Sequence, residues 1–198
     1  MRFAALAYLV LAAPAVRAQT PEIDAAVRAK LETVRYLTKL EDPKGGFAPA
    51  AGAKPGLRAT SAAVRALKYN GQKTPHPDAH AAFVMACFDP ATGGAADAPG
   101  GKADVTLTSV GLMAAVELGV PKDRFRKSLD YLKANATTFE DVRIAAAAVE
   151  AWGVKECPFD LKPWLDIADR ELGQTGTAGR TDDALARETA SGIAMKLR

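Results

Sequence analysis

Apolar residues recur every three or four positions along most of the chain, which is the spacing that places them on one face of an α-helix. The first such run stops at Asp42-Pro43 and Gly45-Gly46, residue pairs that break helices and favour turns. A second run, rich in alanine, follows and ends at Asn70-Gly71, where the glycine is a good helix stop. This pattern predicts two helices joined by a proline- and glycine-rich loop. The apolar positions are Val27, Leu31, Val34, Leu37 and Leu40 in the first run and Leu57, Ala63, Val64 and Leu67 in the second.

The same hairpin pattern returns about 48 residues later. The two copies share an Asp-Pro pair, a Gly-Gly pair, a Thr-Ser pair and a terminal glycine. These are Asp42-Pro43 and Asp89-Pro90, Gly45-Gly46 and Gly93-Gly94, Thr60-Ser61 and Thr108-Ser109, and Gly71 and Gly119. Coincidence at so many positions of one window predicts an internal duplication, as in repeat proteins.

Two further hairpins complete the predicted set of four. In the third, the glycine-rich loop shrinks to NATTFED, residues 135–141, between apolar runs at Phe125, Leu129 and Leu132 and at Val142, Ala145, Val149 and Trp152. The fourth has Leu161, Trp164, Leu165, Ala168 and Leu172, then Ala186, Ala190, Ile193 and Leu197. No stretch alternates apolar and polar residues as a strand does, so the predicted fold class is all-α. The second helix of each hairpin carries small residues and is expected to lie on the inside.

The amino terminus has the pattern of a secretory signal peptide. Arg2 precedes an apolar run over residues 3–13, and Val16-Arg17-Ala18 provides a cleavage site. The run is shorter than the ~20 residues that cross a bilayer, so a retained anchor is the less favoured alternative. We expect cleavage near Ala18, export to the periplasm or medium, no membrane span, and one domain over residues 19–198.

Charge and cysteine content add little to the functional prediction. The chain has 26 Lys and Arg against 23 Asp and Glu, and removal of Arg2 and Arg17 with the leader leaves a net charge of +1. Such a balance does not favour a nucleic-acid partner. In an oxidising compartment Cys87 and Cys157 could form a disulfide or remain two separate buried thiols.

The segment DPKGGFAPAAGAKPGLRATSAAVRAL, residues 42–67, resembles the repeat of protein prenyltransferase β subunits and of squalene and terpene cyclases. The resemblance covers most of residues 27–198 and is strongest in the first two hairpins. It implies an α-α toroid, in which outer helices surround a ring of inner helices and a cavity. Complete members have more hairpins than the four predicted here. The chain is therefore expected to form a toroid or an open arc of one, and to close, if it does, as a homo-oligomer.

The resemblance also implies where a zinc site would lie. Prenyltransferases hold zinc with Asp-x-Cys at the start of one inner helix and a histidine on another. Asp104 matches the carboxylate ligand, but Thr106 stands in place of the cysteine, and no inner helix begins with histidine. For the cyclase branch the nearest acidic candidates are Asp182-Asp183, which also suit a helix cap. We therefore expect no metal, cofactor or catalytic residue.

Two other motifs have a possible binding chemistry. His76 and His80 are four positions apart, which suits a metal on a helix, but Pro77 favours a solvated helix start with His76 outside the regular turn. Gly100-Gly101-Lys102 lacks the earlier glycine and the strand of a phosphate-binding loop.

Arginines recur near the starts of the inner helices at Arg58, Arg143 and Arg187, and Thr60 and Thr189 follow two of them. On the rim of a concave face they would bind an anionic group. Alternatively, each pairs with a nearby acid such as Asp141 or Glu188 and holds adjacent hairpins in register. The function predicted is a non-catalytic scaffold whose concave inner-helix face binds a protein or an apolar ligand at Arg58, Thr60, Asp104, Thr106, Arg143, Arg187 and Thr189. The alternative is a transferase or cyclase that acts on an isoprenoid through an altered site.

Overall fold

The computed structural model describes residues 21–173, and this part of the chain is all-α, with no strand. The helices are α1 (Pro21–Lys39), α2 (Leu57–Tyr69), α3 (Pro77–Ala86), α4 (Val105–Glu117), α5 (Lys127–Asn135), α6 (Phe139–Trp152) and α7 (Lys162–Gly173). Short 3-10 turns cover Lys122–Phe125 and Val154–Glu156. Within the described range no helix is both long and apolar enough to cross a bilayer. The predicted leader, residues 1–18, and the last predicted helix, residues 186–197, lie outside the described residues.

Helix α4 lies at the centre of the core. It packs between α2 and α6, and α3 and α5 also contact it. Small side chains permit these close approaches, because a Cβ added at Gly111 would lie 3.0 Å from Leu57 of α2. Ala114 and Ala115 are fully buried. The alanine-rich helices predicted to lie inside thus provide the central packing.

Bulky residues from the flanking elements fill the space around α4. Phe125 meets Trp152 edge to face, with ring centroids 5.3 Å apart, and Leu129 and Leu132 of α5 are fully buried. Helix α1 contributes much less. Val27 and Leu31, expected in the core, are each about half exposed, at 50% and 49%. Only the carboxyl-terminal part of α1 is packed against α2.

Two loops of similar sequence, residues 41–47 (the first glycine loop) and residues 88–95 (the second glycine loop), form equivalent hydrogen bonds. The Phe47 N–H donates to Thr60 Oγ1 at 2.9 Å, and the Ala95 N–H donates to Thr108 Oγ1 at 2.8 Å. Each threonine hydroxyl in turn donates to the carbonyl four residues before it, on Gly56 or on Asp104. Both loops are therefore fastened to the first turn of the helix that follows.

The glycines of these loops allow a close approach to the second helix along the chain, α3 for the first loop and α5 for the second. A Cβ on Gly45 would lie 2.6 Å from the carbonyl oxygen of Ala79 in α3, and one on Gly93 would lie 2.4 Å from the Lys127 carbonyl in α5. Both glycines also have positive φ, +131° and +78°. The Gly-Gly pairs are thus required by packing as well as by the turn.

Helices α2 and α6 begin in different ways. Gly56 offers α2 no capping side chain, so Asp97, from the segment after the second glycine loop, accepts from the Leu57 and Arg58 N–H groups at 2.8 and 2.9 Å. Helix α6 is capped by Thr138, which forms a capping box with Asp141. Residues 139–141, predicted as part of a loop, are therefore the first turn of α6.

Candidate ligand groove between the first two helices

An apolar groove of about 440 Å³ lies between α1 and α2; we call it the α1–α2 groove. Its wall on the α2 side is a stripe of alanines at Ala59, Ala62, Ala63 and Ala66, the spacing of one helix face. Ala62 is exposed in the groove. The opposite wall contains Tyr36, Leu37 and Leu40 from the end of α1 and Phe47 from the first glycine loop. An apolar ligand could therefore contact both helices without displacing any side chain from the core.

The groove has a cationic edge. Lys54 and Arg58 line it, and Arg58 is exposed. None of the described residues forms an ion pair with the Arg58 guanidinium. The carboxylate of Asp97 also lines the groove, but it accepts from the backbone N–H of Arg58 at the start of α2. The guanidinium therefore remains available to an anionic group at the mouth of the groove.

The other predicted binding residues do not line this groove. Thr60 is fully buried, and its hydroxyl is used by Phe47 and Gly56, so the role predicted for it in ligand binding is replaced by a structural one. Asp104 caps α4 by accepting from the Leu107 N–H at 2.6 Å, and Thr106 is half-buried in the same first turn. Arg187 and Thr189 lie outside the described residues.

Arg143 pairs with an acid, as the alternative interpretation of the recurring arginines expects, but the pair lies within α6 and does not hold adjacent hairpins in register. Its guanidinium binds Glu140, one turn earlier on α6, at 2.8 and 3.0 Å. The predicted partner Asp141 is instead engaged with Thr138 in the capping box. Of the predicted site residues that are described, only Arg58 thus faces a groove with a free charge.

The two histidines form a polar cluster with Glu41, at the end of α1. His76 Nδ1 lies 2.7 Å from Glu41 Oε1, and His80 Nε2 lies 3.1 Å from the same oxygen. Pro77 is the first residue of α3, as predicted, but His80 is fully buried rather than solvated. Burial lowers the pKa of His80 despite the neighbouring Glu41 carboxylate, which favours protonation.

The hydrogen bonds of His80 do not suit a metal ligand. Its Nδ1 accepts the Gly46 N–H at 2.8 Å, so the neutral ring carries its proton on Nε2 and donates to Glu41. A histidine that binds metal through Nε2 needs that lone pair free. Among residues 21–173, no group of three or more histidines, cysteines or acids is arranged to hold a metal ion.

Cys87 and Cys157 are both free thiols, so the disulfide alternative is not formed. Burial raises the pKa of the Cys87 thiol to about 12, with a smaller contribution from Asp97. A thiol with so high a pKa is a poor nucleophile at neutral pH. Cys87 therefore acts as a small apolar residue of the core.

No protein-family model matches the chain, and no curated protein matches its sequence significantly. The groove and the residues that form it are therefore the available indication of function.

Proposed function

We propose that the chain is an exported α-α repeat scaffold that binds an apolar ligand with an anionic end in the α1–α2 groove. The observation that carries the proposal is the position of Arg58, whose guanidinium has no described ion-pair partner and lies at the edge of an alanine-walled groove. Buried apolar area contributes about 25 cal/mol per Å², and a guanidinium pairs strongly with carboxylate or phosphate. A molecule with a hydrocarbon body and one acidic group would use both features.

The repeat part of the proposal is supported by the two glycine loops. Their hydrogen bonds to Thr60 and Thr108 are the same, although the segments lie 48 residues apart in sequence. The burial of α2 and α6 also corresponds, since Leu57, Val64 and Leu67 match Val142, Val149 and Trp152. A row of α2, α4 and α6 with the other helices against it is compatible with an open arc of helical hairpins, of the kind that forms an α-α toroid.

The alternative, an enzyme that acts on an isoprenoid, has weaker support. Asp104, the one residue that matches a zinc ligand of the resembling family, is committed to the amino-terminal cap of α4. A free carboxylate at that position would have favoured the enzyme. The binding scaffold is thus the better supported of the two functions.

Binding of a fluorescent long-chain carboxylate and of the matching alcohol tests the proposal. We expect Arg58→Ala to weaken the carboxylate about tenfold or more, the effect of losing one charge-assisted hydrogen bond, and to leave the alcohol unchanged. Ala62→Trp should abolish binding of both probes, because an indole ring would fill the groove from an exposed position.

Arg143→Ala is the matched control, since that arginine pairs with Glu140 on α6 and lies outside the groove. Equal effects of the two arginine substitutions, or normal binding by the Ala62→Trp variant, would refute the groove as the binding site. A native mass spectrum of the purified protein gives a second readout. A co-purified acidic lipid would support the proposal, and stoichiometric zinc would contradict it.

A further inference from the structure

The buried His80 holds the first glycine loop in place through a bond that only its neutral form can make. A backbone N–H can only donate, so the 2.8 Å contact between the Gly46 N–H and His80 Nδ1 requires that nitrogen to be unprotonated. The other ring nitrogen then donates to Glu41. The ring of His80 also contacts Phe47, with centroids 4.7 Å apart. One neutral imidazole thus connects the end of α1, the loop and α3.

Three titratable groups influence His80 from the surrounding elements. Glu41 and Asp42, which follow α1, favour its protonated form, and His76, which precedes α3, opposes it. The ring of Phe47 also contacts His80, and the loop glycines beside it lie against Ala79 and Phe83 of α3. Burial has the largest effect, so the pKa of His80 lies below the 6.5 of a free histidine.

Protonation of His80 would place a second ring proton on Nδ1, directly opposite the Gly46 N–H. Two donors would then face each other, and the bond would be lost. Gly46 is buried, so its N–H would have no acceptor unless the loop moved. The next residue, Phe47, forms part of the wall of the α1–α2 groove. A movement of the loop away from α3 would therefore alter the groove.

The second glycine loop provides an internal comparison, because it has no equivalent histidine. Ser128 takes the corresponding place 48 residues later, and its hydroxyl donates to the Phe125 carbonyl. The Gly94 N–H instead donates to Thr92 Oγ1 at 3.2 Å. The Thr92 hydroxyl and the Ala91 N–H also hold the pKa of Asp89 below its usual range. The described side chains that bond to this loop from outside it, Thr108 and Lys127, include no histidine.

We propose that mild acidification opens the first glycine loop through protonation of His80 and thereby loosens the α1–α2 groove, while the second glycine loop stays closed. Loosening of ligand binding rests on the proposed function; opening of the loop does not. An exported protein that enters a mildly acidic compartment would release its ligand there.

Amide hydrogen exchange of the free protein, followed by NMR at about pH 7.5 and about pH 5.5, tests the opening. If His80 has a pKa near 6.5 when the loop is open, its protonation makes the equilibrium constant for loop opening about tenfold larger at the lower pH. We therefore expect the protection factor of Gly46, corrected for the intrinsic pH dependence of exchange, to fall about tenfold. The protection factor of Gly94 should stay constant. In the same samples, the ring nitrogen shifts of His80 should show an Nε2–H tautomer at the higher pH.

Two variants separate His80 from its neighbour. His80→Asn keeps an acceptor near the position of Nδ1 and does not titrate, so its Gly46 protection should not depend on pH. His76→Gln removes the exposed histidine and should respond like the wild type. A constant Gly46 protection factor, an equal fall at Gly94, or loss of the response in His76→Gln would overturn the proposal. Because the ring shifts are recorded on the native protein, the test remains decisive if His80→Asn does not fold.

A second arm measures the carboxylate probe at both pH values. Weaker binding at about pH 5.5 in the wild type, but not in His80→Asn, would support control of the groove by the loop. Unchanged binding, with the exchange result as expected, would overturn the effect on the groove. Absence of probe binding at the higher pH would refute the proposed function while leaving the exchange test of the loop intact.

Discussion

Two glycines with nearly the same backbone conformation should respond very differently to alanine. Gly93 has φ +78° and Gly100 has φ +75°. A Cβ on Gly93 would lie 2.4 Å from both the carbonyl carbon and the oxygen of Lys127, whereas a Cβ on Gly100 would have no heavy atom within 4 Å. The comparison therefore separates backbone strain from steric contact with α5.

The expected magnitudes follow from these distances. An alanine in the left-handed region costs about 1–2 kcal/mol, and this term is common to both variants. At Gly93 the methyl group would be more than about 1 Å closer than the 3.5–4.0 Å of a normal carbon contact, so the loop must shift. Overpacking of this kind costs about 1–3 kcal/mol more. We expect a loss in unfolding free energy of about 1–2 kcal/mol for Gly100→Ala and roughly 2–5 kcal/mol for Gly93→Ala.

Urea denaturation and thermal melting, both followed by circular dichroism, provide the measurement. A difference of about 2 kcal/mol corresponds to a Tm of Gly93→Ala about 4–8 °C below that of Gly100→Ala in a domain of this size. A second steric comparison is Gly45→Ala, in the first glycine loop, against Gly52→Ala, which follows that loop and has open space around it. Equal losses within each pair would refute the close packing of the loops against α3 and α5.

Three further results are expected. Thr60→Val and Thr108→Val should each lower the unfolding free energy by about 1–3 kcal/mol in urea titrations, because a buried loop N–H loses its acceptor. Thr106→Val is the control and should change the unfolding free energy little, since the Thr106 hydroxyl has no described partner. In Cys157→Ser, the remaining Cys87 should react with a disulfide reagent more than about a hundredfold more slowly than in the urea-unfolded chain, since burial raises its pKa to about 12. The pKa of His80 is lower in the folded protein than in the unfolded chain, so on acidification this histidine is protonated first in the unfolded chain. The unfolding free energy should therefore fall as the pH drops below 6.5. A series of urea midpoints at different pH values should show this slope in the wild type and not in His80→Asn.

The sequence predicted the helices well where apolar spacing alone decided them. Helix α2 ends at Tyr69, directly before the predicted stop at Asn70-Gly71, and the paired threonines occupy equivalent positions on the helices that follow the two loops. The sequence pattern predicts the start of α6 too late, because Thr138 and Asp141, which form its capping box, lie in a segment with the composition of a loop. Val27 and Leu31 have the spacing of a core face, yet they extend beyond the packed part of α1. Periodicity shows which face is apolar, and it does not show what covers that face.

The candidate site was harder to predict because its partners are distant in sequence. Arg58 was identified from its recurrence, but the groove beside it depends on α1 and on the first glycine loop. Four alanines at one helix spacing were the available signal for the groove wall. The local spacing singles out His80 as a possible metal ligand, but nothing local indicates its bond to the Gly46 N–H, which is 34 residues away.

The cap that Asp97 supplies to α2 has a consequence for how the protein forms. The first turn of α2 bonds to a residue 39 positions beyond Arg58, so it is not complete until the segment after the second glycine loop has been synthesised and folded. The first two hairpins should consequently lose structure in a single cooperative step rather than one after the other. Arg58 shares that turn, which means that its guanidinium reaches its place beside the groove only when both hairpins have assembled.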